Sequence, residues 1–290
     1  MKIKALSVAD FRILLQSKEL SEIGLEQSYV PFEINNVSEC ADVRVTSVRG
    51  IPSSLNISNK FLFESKDLNQ KYFSVSEEND FFKFIVYSQL IRNRIQKVAL
   101  LRKDYSEWII YSDFSKKDEE VFPFLYPMGP LVFYYLTIKF AAILIHASAV
   151  FDGESGRVFS GFSGSGKSTM AGLWQNSGSS IINDDRLMIC KKDKGFIVYN
   201  TPMNYIDVPK KMPLNHLYII EQSKKNHIER LKGATSVSRV MAFCIQHGYY
   251  KSFLEHHLNF LNELCMTVPI YRLGFVNNEK VIDFIKTDGV

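Results

Sequence analysis

Hydrophobic positions change rhythm along this chain. Up to about residue 125 they come in short runs, such as "YVPFEI", "DVRVTSV", "KFLFES", "KYFSVS", "KVALLRK" and "EWIIYS", separated by turn formers and charges. That spacing predicts a meander of β-strands. A longer stretch, "DFFKFIVYSQLIRNRIQ", predicts one helix inserted among them. From about Pro127 the runs lengthen. An apolar helix over roughly 130–142 leads into "AILIHASAVFD", which reads as a buried strand. Gly153 and Gly156 bracket a turn, and "RVFSG" is a second short strand. "KSTMAGLWQNSG" puts Met170, Leu173 and Trp174 on one helical face and ends at Gly178, a suitable C-cap. "SSIINDD" predicts a third strand that ends in two carboxylates. "RLMICKK" and "GFIVYN" predict a hairpin, and "HLYIIEQ" another core strand. Two helices, in "TSVSRVMAFCIQHG" and "KSFLEHHLNFLNELC", precede a closing strand, "VPIYRLGF", and a short helix, "EKVIDFIK".

The pattern divides the chain into a β-rich N-terminal domain, 1–125, and a mixed α/β domain, 126–290. A chain of 290 residues has room for both. Hydrophobic content of 46% and charged content of 23% are those of an ordinary globular protein. Net charge is +4, from 35 basic and 31 acidic residues, and no basic stripe carries interleaved aromatics, so no nucleic acid is expected as a partner. "KKDKG" and "PKKMP" read as solvated turns. The apolar stretch 131–145 is shorter than the roughly 20 residues that span a bilayer. Lys139 also interrupts it. No membrane partner is expected, and the N-terminus lacks the pattern of a secretory signal. Cys40, Cys190, Cys244 and Cys265 show no C-x-x-C spacing. Reduced thiols in a cytoplasmic protein are the simplest reading.

One stretch carries chemistry. "GFSGSGKS", Gly161 to Ser168, fits G-x-x-x-x-G-K-[ST] without a mismatch, between a strand and an amphipathic helix. Its glycines let consecutive backbone N–H groups turn inward around phosphate oxygens. The helix that starts near Lys167 adds the positive end of its dipole. Lys167 can reach the β- and γ-phosphates, and the Ser168 hydroxyl can ligate Mg²⁺. Asp184 and Asp185 follow about 15 residues later. Adjacent strand residues point to opposite sides, so the two carboxylates are expected to do different work. His146, in "LIHASAV", would be an ordinary core histidine by itself; beside the loop and the aspartates it becomes a site candidate.

Together "HASAV" (146–150), "GFSGSGKST" (161–169) and "INDDRL" (182–187) resemble the HPr kinase/phosphorylase family, whose catalytic domain is related to that of phosphoenolpyruvate carboxykinase. The resemblance covers about half the chain, from Leu144 on, and is nearest to HPr-kinase-like proteins with a different, β-rich N-terminal region. It implies an α/β fold with a P-loop core of that type and an ATP-dependent phosphotransferase. The γ-phosphoryl group would pass to a hydroxyl, that of serine foremost, on a peptide, protein or small molecule. It further implies a nucleotide held by Gly161, Ser163, Gly164, Ser165, Gly166, Lys167, Ser168 and Thr169, with Arg186 beside it. His146 and Lys167 would lie at the reacting phosphate. One aspartate would act as base and the other would assist Mg²⁺; the favoured order makes Asp184 the base and puts Asp185 with Ser168 on the metal. "VYNTPMNYIDVPKKMP" does not match the family's glycine-containing stretch for the protein substrate. HPr is therefore not the expected acceptor, and phosphorolysis is not the expected reverse reaction. The competing class is a nucleotide-binding switch or assembly protein with weak hydrolysis. The sequence leaves ATP against GTP open, and the oligomeric state too, a homo-oligomer included.

Overall fold

Strand-forming residues dominate the first half of the chain, and the computed structural model places nearly all of them in one sheet. It describes residues 2–18, 22–35, 41–55, 60–67, 69–113, 120–203 and 205–288, so Cys40 lies outside the described residues. The fold is mixed α/β, with two large mixed sheets and few helices. Two compact units emerge: Met1–Lys139 with Pro202–Val208, and Phe140–Thr201 with Pro209–Val290.

The first unit holds β1 (Ile3–Val8), β2 (Phe11–Ser17), β3 (Glu33–Ile34), β4 (Val43–Arg49), β5 (Phe63–Lys66), β6 (Lys71–Glu78), β7 (Phe81–Tyr87), β8 (Ile95–Arg102), β9 (Glu107–Ser112) and helix α1 (Met128–Lys139). The sheet runs β3-β1-β2-β4-β9-β8-β7-β6-β5. It is more than a meander, because β2 pairs parallel with β4 and β4 parallel with β9. The helix expected in "DFFKFIVYSQLIRNRIQ" is absent. That stretch forms β7, a turn and the start of β8, in antiparallel register from Phe81↔Arg102 to Tyr87↔Ile95. Six of the seven residues of β7 are buried, because the strand sits inside the sheet. A strand covered on both faces loses its alternation and imitates a buried helix. "YVPFEI" begins with a 3₁₀ turn at Val30–Phe32, where Pro31 fixes φ and brings no N–H. Helix α1 is buried nearly all round. Its Tyr135 ring packs 5.4 Å from Phe84 and 5.6 Å from Trp108.

The second unit holds β10 (Ala142–Phe151), β11 (Gly156–Ser160), α2 (Lys167–Asn176), β12 (Ser180–Lys192), β13 (Gly195–Asn200), β14 (Lys211–Pro213), β15 (His216–Gln222), β16 (His227–Leu231), α3 (Gly233–Met241), α4 (Lys251–Thr267), β17 (Ile270–Phe275) and α5 (Lys280–Asp288). Strand order is β14-β13-β12-β10-β11-β15-β17-β16, with β11, β15 and β17 mutually parallel. Alternate residues of the strands feed two cores. Val158 and Leu217 pack with Val240, Leu261 and Leu264 of α3 and α4. Phe159 and Tyr218 pack with Met170 and Trp174 of α2 and Ile285 of α5. Helices thus cover both faces of the sheet.

Two sequence expectations change here. The strand begun by "SSIINDD" does not end at its carboxylates; it continues through "RLMICKK" as the single strand β12. The cause is β10, which pairs with β12 from Ala142↔Cys190 to Phe151↔Ser180 and keeps the ladder occupied throughout. The helix expected over "TSVSRVMAFCIQHG" stops at Met241. The next residues take the free edge of β10 instead: His146 N donates to Phe243 O (3.0 Å), and Ile245 N to Leu144 O (2.9 Å).

Trp174 anchors α2. It is fully buried, 6.3 Å from the Phe159 ring, with the Arg157 guanidinium 4.6 Å from its own ring. Trp174→Ala is expected to cost about 3–5 kcal/mol of stability, the usual range for emptying an aromatic site. Urea unfolding followed by circular dichroism checks this, and a loss below 1 kcal/mol would contradict the anchoring role.

Candidate functional site

Three segments of the second unit converge: the loop after β11, the middle of β10 and the middle of β12. Gly161 to Gly166 link Ser160, the last residue of β11, to α2. Gly166 is the N-cap residue and has φ +98°, in the left-handed region. A Cβ there would also come within 2.7 Å of the Phe275 ring, so only glycine fits without movement. Gly164 turns the same way at φ +78°. No side chain caps α2, which leaves its first-turn N–H groups available to an anion. The Ser148 hydroxyl donates to Lys167 O (3.0 Å) and ties the helix start to β10. Lys167 Nζ donates to Gly161 O (2.9 Å) and Phe162 O (3.1 Å), and so braces the loop from inside. Burial lowers its pKa, against the pull of Asp184 and Asp185. Ser163 and Ser168 are exposed, and Thr169 is half-buried. The buried Ser165 hydroxyl has no hydrogen-bond partner among the described residues.

The register of β10 on β12 brings the remaining candidates together: His146 faces Arg186, Ala147 faces Asp185, and Ser148 faces Asp184. The two carboxylates make different contacts, as expected for strand neighbours. The Ser168 hydroxyl stands beside Asp184 and acts to lower its pKa. Asp184 Oδ1 is buried and meets no donor among the described residues. Burial raises its pKa, and Asp185 adds to the rise; Ser168, Lys167 and His146 oppose it. Asp185 instead lies 3.5 Å from His146 Nε2 and 3.4 Å from Arg186 Nη1. Burial, then Lys167, lowers the His146 pKa, which leaves the ring neutral near pH 7. The serine of the loop goes with Asp184, the histidine with Asp185.

Two supporting residues hold the carboxylates' backbone, and one of them, Asn183, lies inside the "INDDRL" stretch. Asn183 accepts from Asp184 N (2.7 Å) and donates to Arg186 O (3.0 Å); Thr201 donates to the same carbonyl (2.8 Å). Together they fix the backbone around the carboxylates. Their one sequence hint is an asparagine inside a strand, where it is disfavoured. Phe162 and Phe243, whose rings meet edge-on at 5.1 Å, were also not legible as site residues.

The donor set suits a small hard cation. Asp184 supplies an oxygen with no donor, and the Ser168 hydroxyl stands beside it. Among the described residues no three His, Cys, Asp or Glu side chains group tightly enough to hold a metal alone. That fits Mg²⁺, which takes one or two protein oxygens and completes its shell with phosphates and water. The loop amides and Lys167 can bind the phosphates. No helix among the described residues is long and apolar enough to cross a membrane.

No protein-family description matches the chain, and no curated protein matches it. Among solved structures it is similar to the HPr(Ser) kinase/phosphatase from Coxiella burnetii, over 50% of this chain and 95% of that one, with 10% identity and a TM-score of 0.32. At that level the likeness carries no argument about fold or function.

Folding raises the Asp184 pKa above its ordinary 3.8. The carboxylate therefore costs nothing well below that value. The cost grows as pH rises through the raised value and is complete above it. Asp184→Asn removes the charge and keeps the shape. It is expected to raise the melting temperature by about 1–3 °C at pH 7, a gain kept small by solvent access and shrinking toward pH 4. Thermal melts at both pH values check this; a lowered melting point at pH 7 would refute a destabilising carboxylate.

Proposed function

We propose that this protein is an ATP-dependent kinase that transfers the γ-phosphoryl group to a hydroxyl, with serine of a peptide or protein as the leading acceptor class. The reading is carried by one observation: a phosphate-type loop flanked on its strand side by two carboxylates with separate partners, Ser168 for Asp184 and His146 for Asp185. The assignment of the domains goes with it. Residues 126–290 would supply the phosphate chemistry, and the β-rich residues 1–125 would select the acceptor.

In this mechanism the loop amides and Lys167 bind the triphosphate. Lys167 leaves the carbonyls of Gly161 and Phe162 and turns to the β- and γ-phosphates. Ser168 and Asp184 would hold Mg²⁺, which would supply charge neutralisation on the phosphates. Asp185 is the base, in place of the Asp184 first expected from the resemblance. It takes the acceptor's hydroxyl proton while that oxygen attacks the γ-phosphorus, and the bond to the β–γ bridging oxygen breaks to release ADP. A neutral His146 orients Asp185 by hydrogen bonding. Arg186, 3.4 Å from Asp185, steadies charge on the same side. A preorganised set of this kind acts chiefly by position and electrostatics.

Asp185→Asn is expected to lower phosphoryl transfer by roughly 10²-fold or more while Mg·ATP still binds. Asp184→Asn should weaken the response to Mg²⁺, and Lys167→Ala should abolish most of the ATP affinity. Calorimetry with Mg·ATP, together with transfer from γ-labelled ATP to a serine peptide library, checks all three. If Asp185→Asn leaves turnover intact while Lys167→Ala removes ATP binding, the nucleotide-switch reading replaces the kinase.

A further inference from the structure

The loop itself, from Gly161 to Ser165, forms one wall of a cavity of about 380 Å³ that extends away from the carboxylates. Its walls include Gly161, which follows the end of β11, the last residues of β15 from Ile219 to Gln222, and Arg272 of β17, and small ligands of α/β sheets settle near the carboxyl ends of such parallel strands. In the strand order β12-β10-β11-β15-β17 the carboxylates stand two strands to one side of the loop, and this cavity one and two strands to the other. A nucleotide whose γ-phosphate faces Asp185 would therefore extend its nucleoside toward the cavity. The volume is within the range of small-molecule sites.

The walls have the chemistry of a base-stacking site. Phe162, second residue of the loop, is 72% exposed, an unusual place for a large ring. Among the described residues its ring meets that of Phe243 at 77°, and its exposure leaves a face of the Phe162 ring open. Phe243 itself cannot drift, because its carbonyl is held by His146 N on β10. Leu231 and Ile219 line the floor, and Arg239 of α3 stands at the cavity wall. On the far wall Arg272 donates from Nε (3.1 Å) and Nη2 (2.8 Å) to Glu221 Oε1, which fixes the plane of its guanidinium. Open aromatic faces and guanidinium planes stack on nucleobases. We infer that this cavity holds the purine base of the nucleotide, stacked on Phe162 and faced by Arg239. The inference rests on the nucleotide-binding reading above and adds to it the residues that choose the base.

Calorimetry on the full chain separates the two. Inorganic tripolyphosphate probes the loop alone; Mg·ATP, Mg·GTP and Mg·UTP probe loop and cavity together. The native chain is expected to bind a purine triphosphate more tightly than UTP or tripolyphosphate. Phe162→Ala and Arg239→Ala should each weaken the purine triphosphate roughly tenfold, the scale of one lost stacking contact, and change tripolyphosphate by less than twofold. Phe162→Leu keeps the bulk of the loop residue and should fall between native and alanine. If tripolyphosphate binds as tightly as ATP and GTP, or if both arginine and phenylalanine variants weaken all ligands equally, the base site is overturned and the loop assignment stands. Failure of tripolyphosphate and every nucleotide to bind overturns both.

Discussion

A carboxylate oxygen of Asp184 is held where no hydrogen-bond donor among the described residues meets it, next to a second carboxylate, on a strand that cannot retreat. Strand β12 is flanked by β10 and β13 and paired along most of its thirteen residues. Asp184 itself pairs with Ser148 of β10, and twisting it away would break the ladder on that side. Burial and the neighbouring like charge both favour its protonated form, and the Ser168 hydroxyl offsets them in part. Elements around it read as a response to this arrangement. The start of α2 points at it, Lys167 stands within its field, and the loop glycines turn backbone N–H groups into the same space. Charges fixed in advance need no reorganisation when a reacting group arrives, which is the source of electrostatic catalysis.

Edge exchange on β10 makes the rest of the site. Strand β11 pairs with β10 over Ala147↔Ser160 to Phe151↔Gly156 and then leaves as the loop. The edge it vacates, at Leu144 to His146, would expose backbone groups. The Ser160 hydroxyl takes the His146 carbonyl (2.8 Å), and residues 243–245 take the others. One repair of a strand edge thus fixes the histidine on one side of the loop and Phe243 on the other. It also ends α3 at Met241, since a helix cannot offer its backbone to a neighbouring strand.

The loop and its flanking elements were legible in the sequence because glycine, lysine and serine at fixed spacing have few other uses. Asp184, Asp185 and His146 were legible as candidates, and β10–β12 pairing brings all three beside the loop. Their partners were not legible. Which carboxylate meets Ser168 depends on the register of two strands and on an irregularity between Ala149 and Val150, neither of which leaves a trace in composition. The misread helix at residues 80–96 has a related cause. A central strand such as β7 is apolar on both faces, and periodicity then says nothing about period. The parallel joins of β4 to β2 and β9 were equally hidden, because they depend on pairing between distant segments. Phe162 occupies an unspecified position of the loop motif, where the motif is silent by construction.

Rigidity and freedom are distributed sharply around the loop. Ser160 before it and Met170 after it are fully buried, and α2 is fastened by Trp174 in one core and by Ser148 through the Lys167 carbonyl. Between them Phe162, Ser163 and Gly164 are exposed; Phe162 O accepts from Lys167 Nζ and Ser165 N, each at 3.1 Å, and Gln222 Nε2 reaches Gly164 O at 3.5 Å. In the proposed function the Lys167 side chain is the part that changes partners, from loop carbonyls to phosphate. It can do so by rotating its own side chain while the helix, the sheet and both carboxylates stay in place. Reorganisation confined to one side chain and a short glycine turn costs little ordering entropy, since most of the backbone is already fixed. The two helical layers of the second unit thus do more than stabilise the sheet. They confine the response to a ligand to the few residues that touch it.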